Sequence, residues 1–413
     1  MKRAYDLSEK PAARAATGEV ARAFERLQRW CRERDYAGYD PFDGLNSHLL
    51  QTLPALRHSR AARLLWTQLF KRSPVNLRRL ARVPVERNAK GLALFALASL
   101  ADFRRRPTVE AEKEARTLVD DLAAARLEGW SGAAWGYNFD WQGRAFFAPR
   151  GTPTVVPTSF AARALLEAAR TFNDQSYLQL ARSSCDFILR DLNRSEETAE
   201  EVCWSYSPLD HTRVFNASLL AAETLSCVGH ETGEQDFIDW AMRGARYVIG
   251  HQREDGSWAY GADGYQSWAD NFHTAFVLMS LSRIRSSTID AECRRDLEAA
   301  LRRGFEFWRE RFFLADGWPK YYHDRLYPAD AHSAGASIVA LVELQWMDTS
   351  ALDLAHRVAL WAIHNLQDAE RGYFYYQRRR FYTVRTPYMR WSQAWMLYAL
   401  ARLMEGMKSR AEG

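Results

Sequence analysis

The 413-residue chain is poor in cysteine, in lysine and in long apolar runs, and each shortage excludes a class of protein. Its five cysteines are scattered without a Cys-x-x-Cys pair, which favours buried thiols in a reducing compartment over a disulfide framework. No run of about 18 apolar residues occurs, and the N-terminal segment lacks an apolar signal core. We therefore predict a soluble, cytoplasmic protein.

Motifs for nucleic acids, phosphates and metals are also missing. Lysine occurs seven times, and the arginines form no cluster that resembles a nucleic-acid-binding arm, although the net charge is +5. There is no phosphate-binding glycine loop, no dinucleotide fingerprint and no DxDD motif of a protonating terpene cyclase. His and Asp occur together at 270–273 and 330–332, but no cysteine accompanies them as in a prenyltransferase zinc site. We predict no nucleic-acid partner, no metal and no cofactor.

What the chain does contain is a recurrence of polar residues. Thr158, Asn216, His273, His332 and Arg390 each lie near the start of an apolar segment rich in Ala and Leu, at steps of 57 to 59 residues. A period of that length corresponds to two helices with their connections, and such repeats bury their apolar faces against one another. Polar residues at equivalent helix starts are therefore predicted to converge on one cavity.

Apolar helices alternate with amphipathic ones along most of the chain. Apolar inner helices are predicted to begin near residues 88, 158, 216, 271, 330 and 387, and six such repeats favour a closed ring of hairpins, an (α/α)6 barrel. The first outer partner is expected near residue 61. The predicted outer segments are Thr108–Arg126, Gln175–Leu192, Glu234–His251, Asp290–Phe312 and Ala351–Leu366.

The domain organisation follows from the same pattern. Residues 1–18 are polar and rich in Ala and are expected to be disordered, and residues 19–413 are expected to form a single all-α toroid. Short hairpins are predicted in the long loops at 135–151 and 373–385. The sequence leaves the oligomeric state open.

One loop resembles a repeat known from other helical toroids. The run HQREDGSWAYG, which follows a predicted helix, is similar to the QW-type repeat of triterpene cyclases. In this resemblance Gln252 caps the end of the preceding helix while Trp258 packs over it. The resemblance indicates an architecture and leaves the chemistry open.

Most candidate site residues lie at the starts of the inner helices. Capping explains part of this set, because Asp, Asn, Ser and Thr are favoured at helix N-termini. Capping does not explain His273 and His332, which lie inside adjacent repeats, or Arg390, because cations are disfavoured near a helix N-terminus. We therefore predict a functional cavity. The residues that capping alone accounts for are Thr158, Ser159, Asp270 and Asp330.

Imidazole, phenol, amide and guanidinium groups around one pocket suit proton abstraction next to a carboxylate, as in uronic-acid C5-epimerases and lyases. The predicted acid/base residues are His273, His332 and Tyr388, and Arg390, Arg385 and Asn216 are predicted to bind the carboxylate. Further substrate-binding candidates are His211, Asn271, Asp140, Arg144, Trp258 and Trp391. The arginine-rich run 377–390 either steers an anionic polymer or forms the solvated face of a hairpin.

Two alternatives stay open. A glycoside hydrolase needs two carboxyl groups about 5 to 9.5 Å apart, for which Asp140, Asp210, Asp270 and Asp330 are candidates. A non-catalytic saccharide-binding or assembly protein needs neither a pair of carboxyl groups nor a set of acid/base residues. Asp40, Asp43 and Asn46 either reach the cavity or shape the turn before the first long helix; the choice between these two roles is also left open.

The segments DYAGYDPFDGLNS, GTPTVVPTSF, NASLLAA, DNFHTAF and TPYMRWSQAWM resemble a poorly characterised bacterial family over nearly the whole chain. Members of that family are helical toroids that are often encoded beside exopolysaccharide or capsule biosynthesis genes. Their architecture is similar to that of glucuronyl C5-epimerases, polysaccharide lyases and terpene cyclases. The resemblance implies a role in polysaccharide or glycolipid biosynthesis.

Overall fold

The structure, a computed structural model, describes residues 9–143, 145–288 and 290–412. Helices dominate this part of the chain, and they alternate between apolar and amphipathic segments as the sequence predicts. The α-helices, in chain order, are α1 (Glu9–Arg32), α2 (His48–Gln51), α3 (Pro54–His58), α4 (Arg60–Arg72), α5 (Ala89–Arg105), α6 (Val109–Ala124), α7 (Val155–Phe172), α8 (Gln175–Arg190), α9 (Phe215–Thr232), α10 (Gln235–Gly250), α11 (Asn271–Ser287), α12 (Ala291–Phe312), α13 (Ala331–Glu343), α14 (Ala351–Leu366) and α15 (Trp395–Glu412).

Six of these helices form a closed inner ring. Helices α5, α7, α9, α11, α13 and α15 each pack on the next, and α15 packs on α5 to close the ring. Their residues are buried on all sides because neighbours surround each helix; in α5, for example, every residue from Ala89 to Asp102 is buried. Helices α6, α8, α10, α12 and α14 lie outside and bury one face each. The fold is thus an α/α toroid, as predicted.

The sixth outer helix differs from the prediction. Helix α1 packs on α14 and α15, whereas α4 packs mainly on α3, on a 3-10 helix at Asp43–Asn46 and on the loop strand that precedes α7. The expectation of an outer helix near residue 61 is therefore wrong. The reason is that α1 carries the broader apolar face, with Phe24, Leu27 and Cys31 almost fully buried, whereas Leu65 and Leu69 of α4 remain exposed.

Helix α1 also begins earlier than expected. It starts at Glu9, inside the segment for which the sequence predicts disorder, and Ala and Arg have high helix propensity. Residues 1–8 lie outside the described residues.

Short strands occur in the loops. Strands β1 (Trp141–Gln142) and β2 (Phe147–Ala148) pair in the loop before α7, and β3 (Arg194–Glu197) pairs with β4 (Val202–Trp204) before α9. Strands β5 (Ala329–Asp330), β6 (Gln377–Arg378) and β7 (Thr383–Val384) form a three-stranded sheet. The β1–β2 and β6–β7 hairpins confirm the two predicted from the sequence.

Three aromatic rings close the barrel across its axis. Phe160, Phe276 and Trp395 come from the alternate inner helices α7, α11 and α15, and their ring centres lie 5.3 to 5.8 Å apart. This aromatic layer separates a cavity at the N-terminal ends of the inner helices from a second cavity at their C-terminal ends. Within the described residues, no helix combines the length and apolar character that a membrane span needs.

Candidate active site

The axial cavity is the space of about 350 Å³ at the N-terminal ends of the inner helices. Its wall is largely aromatic, and it carries few polar groups, which is typical of small-molecule sites. Burial raises the pKa of Tyr206 and of Tyr260, so both phenols remain protonated and each has a hydroxyl hydrogen to donate. The aromatic residues of the wall include Tyr137, Trp141, Tyr206, Tyr260, Trp268 and Tyr321.

The polar groups of the cavity come from equivalent positions in the ring. Lys90, Asn216 and His332 are each the second residue of an inner helix, and Arg390 is the second residue of a π-helix, Met389–Ala394, that leads into α15. His273 is the third residue of α11. All five line the axial cavity. The convergence inferred from the repeat is therefore present for four of the five recurring residues.

The exception is Thr158, which spacing alone places in this set. The second residue of α7 is Val156, which lines the cavity, whereas the Thr158 hydroxyl is buried and accepts a hydrogen bond from the Trp135 amide at 3.0 Å. The step from Val156 to Asn216 is 60 residues, whereas the step of 58 in the recurrence leads back to Thr158. Lys90 is missed for a separate reason, because the long loop that carries β1 and β2 lengthens the step from Lys90 to Val156 to 66 residues. Its position as the second residue of α5 is the signal that would have identified it.

His273 and Asp270 form a hydrogen-bonded pair at the cavity wall. Asp270 precedes α11 and caps it by accepting from the His273 amide at 3.1 Å, and its second oxygen lies 2.7 Å from the imidazole Nδ1. Because a carboxylate only accepts, Nδ1 carries the proton, and in the neutral ring Nε2 keeps a free lone pair. The His273 side chain is 23% exposed and lies beside the ring of Tyr260. This arrangement suits a general base.

His332 is buried without a hydrogen bond. Its ring stacks on Phe272 and on Trp395 at centre distances of 4.4 and 5.0 Å, and neither ring nitrogen has a partner among the described residues. Burial lowers the pKa of His332 well below its usual value, and the positive charge of the Arg390 guanidinium adds to the effect. The imidazole is therefore neutral at pH 7. Asn216 on α9 likewise has a buried amide oxygen without a partner in the described part of the chain.

Two lysines complete the cavity, and neither belongs to the recurrence seen in the sequence. Lys90 is buried with its amine 4.6 Å from the centre of the Phe160 ring. Lys71, at the end of α4, lies over the ring of Phe42 at 4.4 Å, and burial lowers its pKa to about 8. Helix α4 thus contributes to the cavity although it is not part of the ring.

Arg390 is already paired. Its guanidinium donates to both carboxylate oxygens of Asp40, at 2.6 and 2.8 Å, and both side chains are buried. The sequence predicts that Arg390 binds a substrate carboxylate, but Asp40 occupies the bidentate face that such recognition uses. Asp40 therefore shapes the cavity wall through Arg390.

The other two undecided residues lie nearby. Asp43 accepts from the buried guanidinium of Arg78 at 2.6 Å, and burial raises the pKa of Asp43 to about 7. Asn46 bonds to the Asn138 carbonyl and to the Asp140 amide. Both residues hold the turn before α2.

Several predicted site residues lie away from the axial cavity. Tyr388 is fully buried, accepts from Arg78 at 2.8 Å and donates to the Phe70 carbonyl, and burial raises its pKa to about 12. It is thus a structural phenol and not an acid/base group of this cavity. His211 and Arg385 are exposed; the guanidinium of Arg385 lies over Tyr375.

The remaining carboxylates serve their own segments. Asp210 accepts from the amides of Ser207 and Thr212 in its loop, and Asp140 accepts from the Arg150 amide at 2.8 Å.

Asp330 caps α13 through Ser333 and accepts from the Trp391 indole at 3.3 Å, so it lies behind the wall that Trp391 forms. Among the described residues, Asp270 is the one acidic side chain on the wall of the axial cavity.

Two more candidates are structural, and one is outside the described residues. The Asn271 amide oxygen accepts from the Trp308 indole and from Ser337, both at 2.9 Å, and its NH2 donates to the Lys320 carbonyl.

Trp258 donates to the Val248 carbonyl at the end of α10 and packs tightly on Gly304 of α12, where any Cβ would clash with its ring. Arg144 lies outside the described residues. Across the described ranges, no group of three His, Cys, Asp or Glu is arranged to hold a metal ion.

No known family model matches the chain, and no curated protein matches it in sequence. Solved structures with the same fold include a sugar epimerase from a ruminal bacterium, with a TM-score of 0.61 and 12% identity over 80% of this chain and 90% of that one. A cellobiose 2-epimerase from Bacillus thermoamylovorans B4167 has a TM-score of 0.59 and 12% identity over the same shares. An unsaturated glucuronyl hydrolase specific for heparin has a TM-score of 0.61 and 14% identity over 96% of this chain and 98% of that one. The chain thus shares the α/α toroid of sugar-processing enzymes.

Proposed function

We propose that the axial cavity binds a saccharide and moves a proton at a carbon next to its carbonyl or carboxyl group, as an epimerase does. The observation that supports this most directly is the His273–Asp270 pair, in which a partly exposed imidazole faces an aromatic cavity with its Nε2 free. A positioned general base contributes about 10²- to 10⁴-fold to such a reaction.

Each polar group of the cavity has a role in this proposal. His273 removes the proton from carbon, and the Asp270 carboxylate orients the ring and stabilises the imidazolium that forms. The electron pair left on that carbon moves toward the neighbouring carbonyl or carboxyl group, and the positively charged amine of Lys71 stabilises the charge that develops there. The neutral His332 and the Asn216 amide supply hydrogen bonds that their described surroundings leave unused.

The walls favour a sugar ring as the ligand. Tyr260 and Trp268 stack on each other with ring centres 4.7 Å apart, and Trp141 and Tyr206 contact each other in the wall of the same cavity. Flat aromatic faces bind the apolar faces of sugars, while the buried Tyr hydroxyls donate hydrogen bonds. If the sugar is anionic, as expected from the sequence, Lys71 and Arg72 are the cavity cations that bind its charge, because Arg390 is paired with Asp40.

Glycoside hydrolysis is the second candidate function, favoured by the shared fold of the glucuronyl hydrolase. That reaction needs two carboxyl groups across the scissile bond. Asp270 supplies one, but Asp140, Asp210 and Asp330 do not line the axial cavity. A binding protein without catalysis is less well supported, because binding alone has no need for an imidazole that is oriented by a carboxylate, as in the His273–Asp270 pair. A role in polysaccharide biosynthesis in the cytoplasm is part of the proposal and rests on the sequence resemblance.

Incubation with a panel of free aldoses, disaccharides and uronic-acid glycans in D2O tests the proposal. We expect deuterium at one carbon of one substrate, detected by proton NMR and mass spectrometry, and no exchange when His273 is replaced by Ala. Release of reducing sugar without carbon-bound deuterium would instead show hydrolysis. Binding without either change would show a saccharide-binding protein.

A further inference from the structure

Lys90 is a buried lysine to which the described residues offer neither a hydrogen bond nor an ion pair. The residue is 3% exposed and lines the axial cavity. Its amine lies 4.6, 5.2 and 5.5 Å from the ring centres of Phe160, Phe276 and Trp395. Because these rings close the barrel, the amine lies at the centre of the molecule, where the cavity meets the aromatic layer.

The charges around Lys90 are mostly positive. Burial lowers its pKa well below the usual value, and the guanidinium groups of Arg390 and Arg163 add to the effect, while Asp40 opposes it. Asp40 is itself held by Arg390. A lysine that is desolvated in an apolar pocket beside other cations keeps a free electron pair and attacks carbonyl carbons.

We propose that Lys90 forms a transient imine with C1 of an open-chain aldose in the axial cavity. The inference rests on the proposed function, because it explains how the carbon next to C1 becomes acidic. Its physical basis is the placement of one side chain, an amine without a counterion at the closed end of the cavity.

The step balances without an oxidant or reductant. The Lys90 nitrogen attacks C1 and a C–N bond forms; the carbonyl oxygen takes up one proton from the attacking amine and one from solvent water, the C–O bond breaks, and the oxygen leaves as water. The resulting iminium accepts the electron pair of the C2–H bond when His273 Nε2 removes the proton. Return of a proton to C2 and addition of water to C1 release the aldose and restore the free amine.

Lys71 provides a comparison inside the same cavity. It lies nearer the rim, over Phe42 and Trp391, and the negative charges of Asp330 and Asp40 raise its pKa against the effect of burial. Its amine therefore keeps more of its positive charge than that of Lys90. This difference suits Lys71 to binding an anion and Lys90 to attacking a carbonyl.

Reductive trapping tests the proposal on the full chain. Wild-type protein is incubated at pH 7 with D-mannose and sodium cyanoborohydride, and the adduct is located by peptide mass spectrometry; the chain has only seven lysines to compare. We expect a hexose adduct on Lys90 and only background labelling of the exposed residues Lys113 and Lys408. In the Lys90→Met variant, the peptide that contains residue 90 should carry no adduct. Circular dichroism and the melting temperature check that this variant is folded.

Two results would overturn the imine. The first is a wild-type labelling pattern in which Lys71 carries more adduct than Lys90, or in which all lysines carry the same amount. This result is read from the wild-type protein alone. The other is a Lys90→Arg variant that keeps the full rate of deuterium exchange, because arginine forms no such imine. If a Lys90 adduct forms but no sugar exchanges a carbon-bound proton, the proposed function fails and the imine stands. If a sugar exchanges its proton but no Lys90 adduct forms, the imine fails and the proposed function stands.

Discussion

At the scale of single residues, the site depends on which polar groups are free. His273 has an imidazole nitrogen without a partner in the described structure, whereas Arg390 uses its bidentate face on Asp40. Both residues belong to the recurrence seen in the sequence, which does not distinguish a free group from a paired one. The two substitutions should therefore have different consequences.

Replacing His273 with Ala should remove the base and leave the fold in place. The side chain is 23% exposed and its loss opens the cavity slightly, so we expect activity to fall by about 10²- to 10⁴-fold with little change in melting temperature. Steady-state kinetics and thermal unfolding measure the two effects. His211→Ala is the matched control, because His211 is exposed and away from the cavity. A comparable loss of activity in both variants would remove His273 from the mechanism.

Replacing Arg390 with Ala should destabilise the protein. The change leaves the Asp40 carboxylate buried without its guanidinium, which costs about 3 to 5 kcal/mol in the free energy of unfolding. Urea unfolding measures this cost. Arg385→Ala, which removes an exposed guanidinium from the same segment, should change stability by less than about 0.5 kcal/mol. Equal stability of the two variants would indicate that Arg390 is available to a ligand.

At the scale of elements, helices from the two ends of the chain form the sixth pair of inner and outer helices. Helix α1 packs on α15, so the sixth outer helix comes from the N-terminus and the sixth inner helix from the C-terminus. The segment before α15 is a π-helix, and π-helical turns are frequent at functional sites. Here it carries Arg390 and Trp391, both of which line the axial cavity.

The role of α1 in the ring predicts a large effect of core truncation. Phe24 is 1% exposed, and Phe24→Ala should lower the free energy of unfolding by about 3 to 5 kcal/mol. Leu65→Ala on α4, where the leucine is 72% exposed, should lower it by less than about 0.5 kcal/mol. Denaturant unfolding of the two variants gives the comparison. A mild effect of Phe24→Ala would mean that α1 docks only loosely on the ring.

At the scale of the whole molecule, the two ends of the barrel differ. Below the aromatic layer, Glu223 accepts from Arg163 at 2.9 Å, from Arg283 at 2.7 Å and from the Ser280 hydroxyl at 2.6 Å. Arg283 also donates to Glu343, which links α11 to α13. These buried charges connect four successive inner helices, α7, α9, α11 and α13, at the end opposite the axial cavity, where they stabilise the ring.

This network predicts a pH-dependent stability. Despite burial, the positive charges of Arg163 and Arg283 lower the pKa of Glu223 to about 2 from its usual 4.5. A folded-state pKa below the unfolded one contributes stability above about pH 4.5, and that contribution is lost as the pH falls toward about 2. The shift corresponds to about 3 kcal/mol in the free energy of unfolding.

The measurement is the difference in unfolding free energy between wild type and Glu223→Gln. We expect it to be about 3 kcal/mol at pH 6 and to shrink by about half at pH 3. Glu231→Gln, which removes a half-buried carboxylate paired with Arg170, should cost about 1 kcal/mol or less. A difference that does not change with pH would show that Glu223 is not ionised in the folded protein.

Local patterns of the sequence were sufficient for the fold and for part of the site. Apolar periodicity predicts the alternation of inner and outer helices, and the repeat places Asn216, His273 and His332 at one cavity because equivalent helix starts meet at the same end of a ring. The repeat does not predict Lys90, because the long loop with β1 and β2 changes the spacing between α5 and α7. It does not predict Lys71 either, because Lys71 lies on α4, outside the repeat.

The sequence by itself determined that this chain closes into a toroid with polar helix starts, because helix periodicity is a local property. Only the tertiary structure decided which of those groups are free to react. Asp40 and Arg390 are 350 positions apart, and their pairing depends on how the ring closes. Closure of the ring also places α1 among the outer helices. It surrounds Lys90 with aromatic rings and with no counterion among the described residues. Both outcomes depend on contacts between distant parts of the chain, which no local sequence pattern contains.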